Sequence, residues 1–166
     1  PVFKLKSVKN DTEASGIRRA MTKDGVALTR FFMWLEENVG KKELTELTVS
    51  DKLHDFRTEQ KDFVGESFGT ISGYAGHGAI VHYSATPESA STIKPENLLL
   101  LDSGGQYFDG TTDITRTVTL GTPTEQQKTD FTLVLKGHIG IAQAIFPVGT
   151  RGSQLDILAR KELWDR

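Results

Sequence analysis

The stretch LLLLDSGGQYFDGTTDITRT, Leu98 to Thr117, sets two carboxylates, Asp102 and Asp113, eleven residues apart at the ends of strand-like runs. A carboxylate is costly to bury alone. Such a pair either faces water at the ends of a hairpin or shares a positive partner. Carboxylate oxygens are hard donors that suit divalent cations, so the second case is a metal site. Spacing alone leaves both open. A strict two-residue turn at Asp109-Gly110 would set Asp102 opposite Thr117 and Asp113 opposite Gln106. The two aspartates would then share a face but lie four residues out of register, roughly 13 Å at about 3.3 Å per residue. Metal ligands each sit within about 2.0–2.2 Å of the ion. A metal site therefore requires a bulge or a wider, twisted turn, which Gly104, Gly105 and Gly110 would permit. The third aspartate, Asp109, reads as a turn residue.

The other polar candidates have plainer readings. His82 and His77 lie in the glycine-rich stretch SFGTISGYAGHGAIVHYS, where His77 is expected as a solvated loop residue. His54 and His138 fall on helical patterns and are expected to be packed or at the surface. Arg116, three residues after Asp113, leans to the opposite face and is expected in a surface or structural ion pair.

The elements that must carry these groups follow from periodicity. Asn10 with Glu13 forms a capping box, followed by Ile17, Met21, Leu28, Phe32 and Leu35 at helical spacing. A second helix is expected from a cap near Thr48 to about Asp62, with Leu53 and Phe56 on one face. β-type runs are expected around Thr70–Ile71 and Ala79–Tyr83, and residues 85–97 read as a surface loop. Asn97–Leu101 and Ile114–Leu120 are the clearest strands. TPTE predicts a helix capped at Thr122, with Phe131, Leu135 and Ile139 as its apolar stripe. A last helix is expected from Ser153, carrying Leu155, Leu158, Ala159 and Leu163. Helices flanking adjacent strands on a short connection give an α+β class with an antiparallel sheet.

Composition narrows the function classes. The 166 residues suit one domain, residues 1–166, with a sizeable core. A net charge of -2 predicts no nucleic-acid partner, and no stretch approaches the roughly 18 apolar residues of a membrane span. There is no cysteine, which excludes disulfides and thiolate metal sites. The first residues lack a signal-peptide core, so the expected location is cytoplasmic. A chain that starts at Pro1 is open to being part of something longer.

The wording of the motifs goes beyond their spacing. DSGGQYFDGTTDITRT resembles the first metal-binding segment of the aminopeptidase P family, Xaa-Pro aminopeptidases with the pita-bread (creatinase/aminopeptidase) fold. GAIVHY is similar to the segment that carries an active-site histidine of that family. SVKNDTE, IRRA, DGVALTRFFMWLE, FGTISG, GTPTEQQK, VLKGHI and FPVGTRGSQLDILARKELWD extend the resemblance over essentially the whole chain. It is nearest the larger three-domain form, whose last domain is catalytic.

The resemblance implies a dinuclear metallopeptidase acting on peptides with proline at the second position. Its cofactors would be two divalent ions, Mn²⁺ first, with Zn²⁺ or Co²⁺ as alternatives. Asp102 would bind one ion, Asp113 would bridge both, and His82 would hydrogen-bond substrate. His77 stands where the family has asparagine, so the resemblance gives it no role. The family continues past an ELWD-like segment into a glycine-histidine motif and two glutamates, which supply its other metal ligands. The expectation is therefore the N-terminal half of a catalytic domain, inactive and weakly metal-binding by itself, with a homo-oligomer covering its exposed apolar surface. The alternatives are a prolidase or another pita-bread peptidase, or a non-catalytic peptidase-like module that binds proteins.

Overall fold

The computed structural model describes residues 2–164, which form two compact units meeting in sequence between Thr122 and Pro123. The first unit opens with a short exposed helix, α1 (Val2–Ser7), and then the long helix α2 (Asp11–Asn38). Asn10 caps α2, and its side chain and that of Glu13 exchange hydrogen bonds with each other's backbone as the sequence predicts. The buried face of α2 is Ala20, Asp24, Ala27, Leu28, Phe31 and Leu35, whereas Met21 is exposed. Phe31 takes the core position, and Phe32 is only partly buried against it.

A two-residue strand, β1 (Leu44–Thr45), leads into α3 (Glu46–Thr58). The cap is Thr45, three residues earlier than expected, and Thr48 closes the capping box from the third helical position. The helix also ends before Asp62. The remaining strands are β2 (Phe63–Glu66), β3 (Ile71–Tyr74), β4 (Thr92–Ile93), β5 (Leu98–Ser103), β6 (Gly105–Tyr107), β7 (Gly110–Thr111) and β8 (Ile114–Thr119). They form three antiparallel sheets, ordered β1-β4, β2-β6-β7 and β3-β5-β8. Ala79–Tyr83 is not a strand. A 3-10 helix at Ala75–Ala79 and a turn occupy the segment, and Gly78 is laid within 3.4 Å of the Leu100 side chain when a Cβ is built on it. The 85–97 loop is also not wholly superficial, because Ile93 enters the core.

Strand alternation decides the two faces of β5. Leu99, Leu101 and Ser103 are buried, while Leu98, Leu100 and Asp102 are half-buried on the other side. The buried side joins Leu28, Phe31 and Leu35 of α2 with Val49 and Leu53 of α3 in one hydrophobic core. The opposite side of the sheet is left for chemistry.

The second unit is a pair of helices, α4 (Glu125–Ala142) and α5 (Gly152–Trp164). Thr124, not Thr122, caps α4, and the capping box is completed by Gln127. Helix α5 starts at Gly152 rather than after a Ser153 cap, and the Gln154 side chain accepts from the Arg151 N–H at 2.8 Å. Gly137 is buried against Ala159, and Lys136 pairs with Glu162 at 3.5 Å. Phe131, Leu135 and Ile139 lie on α4 but remain 51%, 44% and 43% exposed, so this stripe is open surface. No described helix is long and apolar enough to cross a membrane.

Candidate functional site

The hairpin turn falls one residue earlier than its Asp-Gly dipeptide suggests. Tyr107 pairs with Gly110, so Phe108 and Asp109 form the turn. This corrects the expected register. Asp102 stands opposite Thr115, not Thr117, and Asp113 is two positions from Thr115 on the same strand path. Continued one residue past the Ser103–Ile114 pair, this register sets Asp113 opposite Gly104, diagonal to Asp102, a relation that in a regular ladder places residues about 7–8 Å apart. The bulge that a four-residue offset required is unnecessary.

The early turn has a tertiary cause. The Asp109 carboxylate receives Lys23 of α2 at 2.7 Å, and Arg19 lies 3.6 Å away. The Lys23 hydrogen bond holds the Asp109 carboxyl below its ordinary range. Gly16 lets the helix close on the turn, since a Cβ there would come within 2.3 Å of the Asp109 carbonyl oxygen.

Asp102 is half-buried and accepts the Thr115 hydroxyl on Oδ1 at 2.8 Å, while Asp113 is exposed. The strands change sheets between these residues. Gly104 passes so near the Thr112 carbonyl that an added Cβ would lie 2.0 Å from it. The pairing continues through Thr112, whose N–H donates to Gly105 O at 2.9 Å and whose Oγ1 accepts from the Gly105 N–H at 2.8 Å. Among the described residues, no group of three or more His, Cys, Asp or Glu side chains is arranged to hold a metal.

His82 is exposed in a turn with φ 55, a left-handed conformation uncommon outside glycine. It shares no hydrogen bond or ion pair with Asp102 or Asp113 among those found between described residues. Its neighbour Tyr83 is anchored instead. The Tyr83 hydroxyl donates to Glu46 Oε2 at 2.9 Å, and its ring stacks on His77 at 4.5 Å. His77 is therefore not a solvated loop residue, because its Nδ1 lies 2.9 Å from Glu46 Oε1. The same carboxylate accepts the N–H groups of Tyr74 at 2.7 Å and Ser91 at 2.8 Å. Arg116 is exposed and donates to the Thr115 carbonyl, His138 is exposed, and His54 pairs with Glu66 at 2.9 Å.

Burial alone would raise the Glu46 carboxyl. The Ser91 and Tyr74 N–H groups, then His77 and Tyr83, outweigh it and hold the carboxyl below its ordinary value of 4.5. A depressed folded-state pKa contributes stability that is present above the unfolded value and lost as pH falls through the folded one. The urea midpoint should therefore fall as pH drops below about 4.5, and fall less steeply in Glu46→Gln. Equal slopes in the two proteins would remove Glu46 from the acid response.

The sequence reading missed the buried ionic residues. Asp24, Glu46 and Arg57 are fully buried, and Arg57 Nε donates to Asp24 Oδ1 at 2.7 Å. The available signal was helical phase. Asp24 sits four residues after Ala20 and three before Ala27, and Arg57 sits four after Leu53, all core positions.

Comparison with known proteins adds the wording of relatives to this geometry. The model of metallopeptidase family M24 matches residues 15–166. A protein of Paracoccidioides brasiliensis named probable Xaa-Pro aminopeptidase P is 53% identical over 99% of this chain and 27% of its own length. Aminopeptidase P2 of Arabidopsis thaliana is 50% identical over 99% of this chain and 23% of its length. The chain thus spans about a quarter of the length of these curated relatives. Among solved structures, the Caenorhabditis elegans X-prolyl aminopeptidase superposes with a TM-score of 0.90 at 42% identity, over 97% of this chain and 26% of that one. That protein is described as a cytosolic enzyme with a di-nuclear active site. The X-Pro aminopeptidase of Thermotoga maritima shares the fold, with a TM-score of 0.82 at 23% identity, over 99% of this chain and 44% of that one. The helix-backed antiparallel sheet is that of the pita-bread aminopeptidases and prolidases.

Proposed function

As the chain belongs to metallopeptidase family M24, we propose that it contributes Asp102 and Asp113 to the dinuclear centre of an Xaa-Pro aminopeptidase, a hydrolase of the bond between an N-terminal residue and a following proline. One observation supports the reading: the register pairs Asp102 with Thr115, two residues from Asp113, in a chain about half identical to proteins of that name along its whole length.

The donor chemistry fits divalent ions. Two hard carboxylates offset their charge without thiolates, and such a set suits Mn²⁺. Two bound ions bring Lewis-acid activation of water and of the scissile carbonyl. The remaining contributions belong to this chain. Asp102 would hold one ion, and Thr115 fixes one of its oxygens. Asp113 would supply the second carboxylate that holds the ions. His82, held in its turn by the anchored Tyr83, donates or accepts a hydrogen bond at the substrate beside the scissile bond. Two carboxylates are an incomplete shell, so residues 1–166 alone bind metal weakly and lack activity. Both units serve as parts of one catalytic domain, and the cytoplasm is its place of action.

The test is an assay of the whole protein carrying this chain, supplied with Mn²⁺, on Xaa-Pro-Xaa tripeptides and Xaa-Pro dipeptides. Cleavage of the tripeptide before proline, with the dipeptide spared, is expected. Cleavage of the dipeptide alone would make the protein a prolidase. Cleavage of neither would favour a non-catalytic binding module.

A further inference from the structure

Below Asp102 and Asp113, on the buried side of the same strands, lies the ion pair of Asp24 and Arg57. Arg57 Nε donates to Asp24 Oδ1 at 2.7 Å, and Nη2 donates to Asp24 Oδ2 at 3.2 Å. Nη2 also donates to Ser103 Oγ at 3.0 Å, and Nη1 donates to Glu66 Oε2 at 2.9 Å. The Thr112 hydroxyl donates to Asp24 Oδ2 at 2.9 Å, and the Tyr107 hydroxyl to Oδ1 at 3.0 Å. Burial first, and then the charge of Asp24, push the Tyr107 phenol well above its ordinary pKa, so it stays a donor. Every polar atom of Asp24 and every guanidinium nitrogen of Arg57 therefore has a partner.

The sequence positions of these partners are informative. Ser103 directly follows Asp102, and Thr112 directly precedes Asp113. Successive strand side chains point to opposite faces. A hydroxyl drawn to the buried side fixes the direction of the neighbouring carboxylate on the open side. Here both hydroxyls are drawn to the same ion pair, at the point where the strands change sheets around Gly104.

We propose that the Asp24–Arg57 pair is a positioning device that sets the separation and direction of Asp102 and Asp113, acting through Ser103 and Thr112. The inference rests on the metal-binding reading of those aspartates. It gives a buried ion pair, costly to assemble in a core, a role beyond holding helices α2 and α3 to the sheet. Arg57 links to β5 through Ser103, Asp24 links to the return strand through Thr112, and their mutual bidentate contact fixes the distance between the two.

The test uses the whole protein carrying this chain, with Mn²⁺ alone as the probe. Thr112→Val removes the hydroxyl and keeps the shape, and Thr112→Ser restores the hydroxyl. Mn²⁺ affinity by isothermal titration should fall roughly 10–100-fold in Thr112→Val, the usual effect of losing an outer-shell partner. The magnetic coupling of the bound Mn²⁺ pair in electron paramagnetic resonance should change with it, and Thr112→Ser should restore both. A lower melting temperature with unchanged affinity and coupling would overturn the inference. Should Thr112→Val fail to fold, Ser103→Ala is read in the same way at the other aspartate, and unchanged affinity there overturns it equally. Asp113→Ala separates the two levels. If it binds Mn²⁺ as tightly as the unaltered protein, or if the unaltered protein binds none, the metal reading fails and the inference with it. If Asp113→Ala loses Mn²⁺ while Thr112→Val and Ser103→Ala keep it, only the positioning role fails.

Discussion

Under the proposed metal role, Asp113→Ala in the whole protein carrying this chain is expected to lower kcat/KM by roughly a thousandfold, with the melting temperature nearly unchanged. Metal-ion stabilisation of developing charge is worth several kcal/mol, and each ~1.4 kcal/mol is tenfold in rate. Asp113 is exposed and makes no ion pair among those found between described residues, so the fold loses little when it goes. Substitutions at such surface positions usually stay within about 0.5 kcal/mol. Steady-state kinetics on an Xaa-Pro-Xaa peptide, beside a thermal melt, check both halves. Full activity in Asp113→Ala would remove it from the metal centre. Activity lost together with the fold would show a structural carboxylate instead.

Arg57→Met should give the opposite profile, with stability falling by about 3–5 kcal/mol, the usual cost of stranding one member of a buried ion pair. Asp24 and Arg57 side chains are both fully inaccessible to solvent. Methionine is close in length and fills the space, so the loss would report charge rather than volume. Asp24 would keep only the Tyr107 and Thr112 hydroxyls, and Ser103 would lose its donor. Removing both charges by Asp24→Leu with Arg57→Met should recover part of the loss, because no fully buried ion is left unpaired and Glu66, which also loses Arg57, keeps access to water. The recovery should be incomplete, since the hydroxyls of Ser103 and Tyr107 would still lack partners. Urea unfolding of the single and double variants measures this. A loss below about 1 kcal/mol in Arg57→Met would mean that water or a neighbouring group reaches Asp24 when the guanidinium is gone.

The two variants separate surface chemistry from buried support. Asp113 faces outward from the hairpin, and its removal is an event at the site. Arg57 lies beneath that hairpin, and its removal is an event in the core. Thr112 is the intermediate case, because its hydroxyl connects the return strand to the buried pair. A graded response, from an activity effect at Asp113 through metal affinity at Thr112 to stability at Arg57, is what this layering requires.

Much of the fold was legible where the determining forces are local. The Asn10–Glu13 capping box marked the start of α2 because both its partners lie within four residues of sequence. The runs that became β5 and β8 were legible because four successive leucines, and a β-branched run rich in threonine, are strand compositions bounded by turn residues. Helix starts at Thr45 and Thr124 were displaced from Thr48 and Thr122 because several threonines could each serve as a cap. Choosing among them depends on where the preceding chain is held. The Ala79–Tyr83 segment has the composition of a strand but folds as a 3-10 helix and turn. Its Tyr83, and His77 just before the segment, are held by Glu46, a residue more than thirty positions earlier.

The sequence by itself determined which residues could do chemistry: Asp102 and Asp113 at the ends of two strands, and His82 in a glycine-rich turn. Residue type and local composition suffice for that. Only the tertiary structure decided the register that brings the aspartates to adjacent positions. The turn sits at Phe108–Asp109 because α2 offers Lys23 to Asp109 and a glycine surface at Gly16. Likewise, only the folded chain could pair Asp24 with Arg57, and Glu46 with His77 and Tyr83. The physical reason is common to these cases. A charged residue at a core position is unfavourable by itself, and its partner can come from any part of the chain that folding brings within hydrogen-bond reach.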